Sequence, residues 1–193
     1  MAKGYTNKNE IESFTLQQIA SSFDEQVERW IGQIETYIEN FTGRVFIADT
    51  TASEKVYDGC GKAEQTFDEF VEVTKVELGE DTKTEVESDN YRTYPNNRTN
   101  KNTIQLKYNY YSKGPQNVTI TAKWGYSVAV PDDIKFATTI LVAGIMNFSS
   151  DIEGTIRSES IGSYNVQYKD EKDWMDFDRA KDILQHYVKY GNF

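Results

Sequence analysis

Cysteine and histidine each occur once in this 193-residue chain, and proline and methionine three times each. With Cys60 alone, no internal disulfide can form, and the chain suits a reducing compartment such as the cytoplasm. One Cys and one His are too few for a zinc site of thiolate and imidazole ligands. Long apolar runs are lacking as well. The longest, Ile140 to Met146, is far too short to span a bilayer, so no membrane partner is expected. The opening MAKGYTNKNE holds none of the apolar core of a secretion signal. The Asn-x-Thr sequons at Asn97 and Asn117 therefore read as chance.

Positive charge is in short supply. Asp and Glu total 31 against 21 Lys and Arg, a net charge of −10. The excess sits in the flanks: residues 1–66 hold 11 acids and 6 bases, 67–130 hold 9 and 8, and 131–193 hold 11 and 7. Gripping a phosphate backbone takes clustered Lys or Arg. An acidic chain instead repels a polyanion, and such a surface lets DNA slide past without holding it. Lys101, Lys107, Lys113 and Lys123, set among tyrosine-rich segments, are the best material for a base-stacking surface. On strands, such lysines ordinarily keep an exposed face soluble.

Reactive constellations are missing too. His186 falls inside the final predicted helix, between Gln185 and Tyr187, where a lone imidazole is a surface or packing residue. Cys60 stands between Gly59 and Gly61 with no His at a motif-like spacing. Gly59-x-Gly61 falls short of a phosphate-binding loop. Asp176 and Asp178 do not share a helical face. No catalytic, cofactor-binding or metal-ligating residue is assigned, and no cofactor is expected.

What the chain does have is pattern. Phe14, Leu16 and Ile19 mark a short helical turn or docking segment in a lead-in over 1–21. From Ser22 the stretch SSFDEQVERWIGQIETYIENFTG predicts a long helix. Ser22 and Glu25 fit a capping box. Phe23, Val27, Trp30, Ile31, Ile34, Tyr37, Ile38 and Phe41 form one apolar face, with Glu28, Glu35 and Glu39 opposite it, and Gly43 is the stop.

RVFIAD (44–49) reads as a short strand, Asp58-Gly59 as a turn, and FDEFVEVTKVEL (67–78) as a β-branched strand. Pro95 and the asparagines of 88–102 argue for a loop and against any central strand. TIQLKYNYY (103–111) alternates, with Ile104, Leu106, Tyr108 and Tyr110 on one side. After a turn at SKGPQ, NVTITAKW (117–124) alternates again, with Val118, Ile120, Ala122 and Trp124 together. Period two with polar alternates predicts antiparallel strands with one wet face.

Val130-Pro131-Asp132-Asp133 then opens a helix. Pro suits a first turn, and the acids suit the free N–H groups and the dipole. Ile134, Ala137, Thr138, Leu141, Val142, Ile145 and Met146 line one side, and Phe136, Ile140 and Ala143 crowd the next. So little polar surface predicts a central helix, wrapped by other helices or by another subunit. Residues 149–173 form a connection longer than compact packing needs, with a small strand pattern at Tyr164, Val166 and Tyr168. A last helix is predicted over 174–190, burying Trp174, Phe177, Ala180, Ile183, Leu184, Tyr187 and Val188.

These elements predict an α+β fold, a compact core of about three to four helices with a small antiparallel β insertion. Residues 1–43 supply the lead-in and first long helix, and 44–130 the β module. Residues 131–193 supply the central helix, the long loop and the C-terminal helix, which packs with the first helix as one core.

Several stretches, taken in order, resemble the head–tail adaptor (head–tail connector) proteins of long-tailed bacteriophages. They are FTGRVF (41–46), KVYDGCG (55–61), FDEFVEVTKVELG (67–79), NVTITAKWGYSVAVPDDIKFA (117–137), and SESIGSYNVQY (158–168) followed by a helix. The likeness runs over about 22–190 and is weakest at 80–102. It implies a non-enzymatic virion protein, made in the host bacterial cytoplasm. Such proteins form a ring, commonly of twelve copies, at the capsid vertex. The ring lies between the portal and a stopper or tail-completion protein and extends the channel through which double-stranded DNA passes unbound. A stopper or tail-terminator protein is the alternative within virion assembly; an unrelated enzyme or nucleic-acid-binding module is the alternative outside it.

On this reading Ser158, Glu159, Ile161, Gly162, Tyr164, Val166 and Tyr168 are the expected assembly surface. Gly162 permits a tight turn, and the alternating residues can add an edge strand to a partner. Trp124, Gly125, Pro131, Asp132, Asp133 and Ile134 are the expected helix start and core.

Overall fold

The computed structural model describes residues 3–152, 158–161, 164–167 and 171–189, with side chains over 3–146 and 177–189. The chain divides into two compact units, one of residues 1–43 with 131–193 and one of residues 44–130. The architecture is α+β, a helical core with an antiparallel sheet inserted in it.

The helical unit holds α1 (Lys8–Thr15), α2 (Asp24–Thr42), α3 (Asp132–Ile152) and α4 (Glu171–Gln185). α3 packs against the other three. Its buried residues are Ile134, Ala137, Thr138, Thr139, Ile140, Leu141, Val142 and Ala143, more than one stripe of the helix. The partners bring Ile11 from α1, Val27, Ile31, Ile34 and Ile38 from α2, and Ala180 and Leu184 from α4. Each Ile, Leu or Val removed from water contributes about 1.5–3 kcal/mol. The threonines of α3 bury without loss because their hydroxyls bond back to the preceding turn, Thr138 to the Ile134 carbonyl at 2.7 Å and Thr139 to the Lys135 carbonyl at 2.9 Å.

Several expectations for the helices are corrected. Ser22 and Glu25 form no capping box: Ser21–Phe23 make a 3₁₀ turn leading into α2, and no side chain caps that helix. Phe23 and Tyr37 are exposed, because the stripe centred on Val27, Ile31, Ile34 and Ile38 faces α3 and they lie at its margin. Leu16 is also exposed, in a left-handed conformation that ends α1, and Ile11 anchors that helix instead. α4 stops at Gln185, so His186 lies in the turn after it. Phe177 is exposed, and Trp174 lies outside the residues with described side chains.

The largest departure is Glu35, expected in solvent and found 2% exposed. It sits one turn after Ile31 on the buried stripe. Its Oε1 accepts the N–H groups of Gly4 and Tyr5, each at 2.8 Å, and its Oε2 accepts that of Lys3 at 2.5 Å. Next to it Glu39 accepts the Tyr5 hydroxyl at 2.5 Å and the Lys3 ammonium at 2.7 Å. A buried carboxylate thus finds the donors of a chain segment that would otherwise be unpaired. At the far end Gly43, with φ 67°, ends α2, and the Lys189 N–H donates to the Thr42 carbonyl at 2.8 Å.

The inserted unit holds β1 (Ser53–Gly59), β2 (Glu64–Leu78), β3 (Thr84–Glu85), β4 (Tyr91–Tyr94), β5 (Lys101–Leu106) and β6 (Gly114–Trp124). Their order is β1-β6-β2-β5-β4, all antiparallel, with β3 beside β2. The 15-residue β2 carries three register shifts. Such bulges bend a strand, letting one half of β2 pair with β5 and the other with β6. The core holds Phe67, Phe70, Val76, Ile104, Leu106, Tyr111, Val118, Ile120, Ala122 and Trp124.

Here too the sequence misleads in places. Residues 44–49 make only a bridge, Ile47 to Ser127, rather than a strand. Asp58-Gly59 ends β1 instead of forming a turn, and Gly114–Gln116 already belong to β6. β5 ends at Leu106, so Tyr108 and Tyr110 are exposed while Tyr111 is fully buried. β4 falls inside the expected loop, as an edge strand that stops before Pro95.

Replacing Glu35 by Ala should cost about 2–3 kcal/mol by urea denaturation, because hydrogen bonds to a charged group are lost and buried N–H groups are left unpaired. An unchanged midpoint would show that Lys3–Tyr5 do not depend on this carboxylate.

Candidate functional site

The residues that the sequence marks as helix start, core and assembly surface fall in three places. Pro131, Asp132, Asp133 and Ile134 open α3. The Pro131 carbonyl accepts the Lys135 N–H at 3.0 Å, which puts Pro131 just ahead of the helix rather than in its first turn. Asp132 is exposed and 3.8 Å from Lys135. Asp133 has more partners: it accepts the Ile134 N–H at 3.0 Å and the Tyr187 hydroxyl at 2.7 and 2.8 Å. Both acids lie where the helix dipole favours negative charge. Ile134 is fully buried. This cluster ties the segment after α4 to the start of α3.

Trp124 and Gly125 lie at the end of β6, in the sheet unit. The Trp124 indole N–H donates to the Ser53 carbonyl at 2.9 Å, its ring meets Phe70 edge-on at 6.1 Å, and Lys55 Nζ sits 4.6 Å from its centre. Gly125 has φ 142°, and a Cβ there would fall 2.4 Å from the Ala48 Cα. Its N–H donates to the Glu69 carbonyl at 2.8 Å. The Trp-Gly pair therefore closes the end of the sheet against residues 44–49, where Arg44 also pairs with Glu69. What the sequence offered as helix start and core is two separate structural clusters.

The third place is the long connection. Ser158–Ile161 (β7) and Tyr164–Gln167 (β8) pair as a two-stranded antiparallel hairpin, with Ser158 opposite Gln167, Glu159 opposite Val166 and Ile161 opposite Tyr164. Gly162 and Tyr168 lie outside the described residues. A two-stranded hairpin on its own is marginally stable in water and gains from a further strand or a packed face.

No chemistry-bearing constellation appears among the described residues: no three of His, Cys, Asp and Glu come together as metal ligands. Cys60 is exposed. Burial first, then the Asp68 charge beside it, pushes the Tyr57 hydroxyl well above its ordinary range, so it stays neutral. Burial does the same to Tyr111. A groove of about 440 Å³ between α1 and α3 is lined by Asn7, Asn9, Glu10, Ser13, Phe14, Lys135, Phe136 and Thr139. No described helix is long and apolar enough to cross a membrane.

Sequence reasoning missed Glu35 as an organising residue. Its place between Ile31 and Ile38 on one helical stripe was the available signal, and the unpaired N–H groups it serves were not visible. The close approach of Gly125 to Ala48 gave no signal beyond the glycine itself.

The family described as head completion protein matches residues 10–190. No protein of curated function matches the sequence. Solved structures share the fold. One is a chain from the neck of an empty GTA particle computed with C6 symmetry, 14% identical, covering 100% of this chain and 95% of that one, with a TM-score of 0.60. A second comes from the neck of a native GTA particle computed with C12 symmetry, 15% identical, covering 100% and 94%, with a TM-score of 0.56. A third comes from the virion of a native gene transfer agent particle, 14% identical, covering 96% and 89%, with a TM-score of 0.55.

Gly125→Ala should destabilise the sheet unit by about 2–4 kcal/mol, since it adds backbone strain and a clash with main-chain atoms. Thermal melts read this directly, and a variant as stable as the parent would rule out the close approach to Ala48.

Proposed function

We propose that this chain, which belongs to the head completion protein family, assembles as a twelve-copy ring between the capsid portal and the stopper or tail-completion protein. Family membership makes it a structural component of the phage virion neck rather than an enzyme. The ring, its position under the portal and its service as a DNA channel go further than that membership.

The observation that carries the reading is the family match over residues 10–190, nearly the whole of the 193 residues. Two features support it. The fold is shared with chains of a particle neck computed with C12 symmetry, a count that suits twelve copies here. The net charge of −10 suits a bore past which DNA slides.

In this role the hairpin of β7 and β8, within the segment Ser158 to Tyr168, is the assembly surface, reaching a neighbouring copy or the portal. The Pro131–Ile134 cluster holds the helical unit that carries the hairpin, and the Trp124–Gly125 cluster holds the sheet unit. Contact between copies is head-to-tail, one side of each meeting the other side of the next, as a closed ring requires.

The purified chain mixed with the portal oligomer should give, by negative-stain imaging, a ring with a central hole stacked on the portal. More than half of the charged residues facing the hole should be acidic. Deleting residues 158–168 should abolish the ring while leaving the sheet unit folded by circular dichroism. Density found only on a tail-side partner, or a basic bore, would sink the respective part of the proposal.

A further inference from the structure

The sheet of residues 44–130 ends in two strands paired on one side only, β1 and β4. Such an edge presents a row of N–H and C=O groups to any strand that fits, and proteins guard it with lysine, proline or a covering loop. β1 contains no proline. Its one lysine is turned aside: Lys55 Nζ reaches Asp68 at 2.7 Å and lies over the Trp124 ring. Next to it Val56 is 50% exposed.

The register identifies the groups that point outward. Opposed residues in an antiparallel ladder alternate between bonded and non-bonded pairs. The Gly79 N–H donates to the Asn117 carbonyl at 2.9 Å, so Asn117 and Thr119 bond toward β2. Val118 and Ile120 therefore bond toward β1, through their partners Tyr57 and Lys55. That leaves the backbone groups of Glu54 and Val56 facing out. At the opposite edge the Lys107 N–H donates to the Asn90 carbonyl at 2.9 Å, so Arg92 bonds toward Gln105, and Tyr91 and Thr93 face out.

Direction and face agree as well. Four successive antiparallel pairings make β1 and β4 run the same way. Tyr57 and Tyr91 pack on the core, so Val56 and Arg92, each one residue away, both point to the opposite face. A copy generated by rotation brings β4 to β1 with the same direction and the same face.

We propose that β1 of one copy pairs in parallel with β4 of the next, Val56 opposite Arg92, joining neighbouring sheets edge to edge. In that register the Val56 N–H donates to the Tyr91 carbonyl, the Thr93 N–H to the Val56 carbonyl, and the Tyr91 N–H to the Glu54 carbonyl. All these groups face outward in the single chain. Arg92 is exposed, with no ion-pair partner among the described residues, and it arrives diagonal to the Glu54 carboxylate, whose own-chain partner Lys83 is 3.9 Å away. The proposal rests on the ring reading above and adds a second contact between copies beside the β7–β8 hairpin.

Val56→Cys and Arg92→Cys, combined in a Cys60→Ser background and assembled with the portal oligomer, should cross-link under mild oxidant into a ladder beyond dimer on a non-reducing gel. Neither cysteine alone should cross-link. Dimers from Val56→Cys alone would reveal a two-fold β1–β1 contact, and a disulfide within one chain would reveal a sheet closing on itself; either result overturns the proposal, as does no cross-link at all. Val56→Pro removes one outward N–H and no internal bond, a substitution that edge strands tolerate. It should leave circular dichroism unchanged and lower ring yield at least tenfold, with Val56→Thr near the parent. Rings forming normally with Val56→Pro would defeat the edge contact and leave the ring reading standing. No rings from the unaltered chain would defeat both.

Discussion

A helix with apolar side chains on nearly every side has to be wrapped, and the helical unit is built around that demand. α3 buries eight consecutive-turn residues between Ile134 and Ala143, and it needs α1, α2 and α4 together to do so. The remaining features of the unit follow from keeping those three in place. Glu35 and Glu39 hold Lys3–Tyr5 on α2 just before α1 begins. Thr6 meets Thr139 at 2.7 Å, joining the entry to α1 with α3. Asp133 receives Tyr187, and Thr42 receives Lys189, so the residues after α4 are bonded to both long helices. Polar contacts here fix position, while the apolar contacts supply most of the stabilisation.

The sheet unit solves a different problem. It buries Tyr111, Trp124, Phe67 and Phe70 around a bent β2, with Tyr57 and Tyr91 half-buried against them. Bulges let one strand serve two partners, and Gly125 lets the chain leave the sheet close against Ala48. Aromatic rings set edge-on, Tyr57 on Phe67 and Phe67 on Tyr111, fill the space between them. The result is a small compact unit whose two outer strands keep unused hydrogen-bonding groups.

The helices were legible because apolar spacing is a direct image of burial: Val27, Ile31, Ile34 and Ile38 announce α2, and Pro131-Asp132-Asp133 announces α3. Val118 to Trp124 announces β6 in the same way. The misreadings have physical causes. Glu35 is buried by partners 30 to 32 residues away, which no local pattern encodes. Tyr108 and Tyr110 continue an alternation that the strand itself abandons after Leu106. β1 hides in a stretch rich in Glu, Lys, Asp and Gly, because an edge strand with one half-wet face needs few apolar residues. The assembly role was reached through likeness to a known family, since surfaces that meet other chains leave no periodic trace in the chain that carries them.

The inserted unit is one unbroken stretch of chain, whereas the helical unit is split on either side of it. During synthesis, residues 44–130 are complete before α3 has left the ribosome, and domains generally fold as units in the order they emerge. The apolar stripe of α2 meanwhile has no α3 to cover it. The sheet thus matures first and serves as a tether that shortens the search between the two halves of the helical bundle, since a folded insert with its ends held costs less closure entropy than a free loop of the same length. Any change that slows the folding of the sheet therefore prolongs the time in which Val27, Ile31 and Ile38 lie bare, and the burden falls on chaperones before any particle is built.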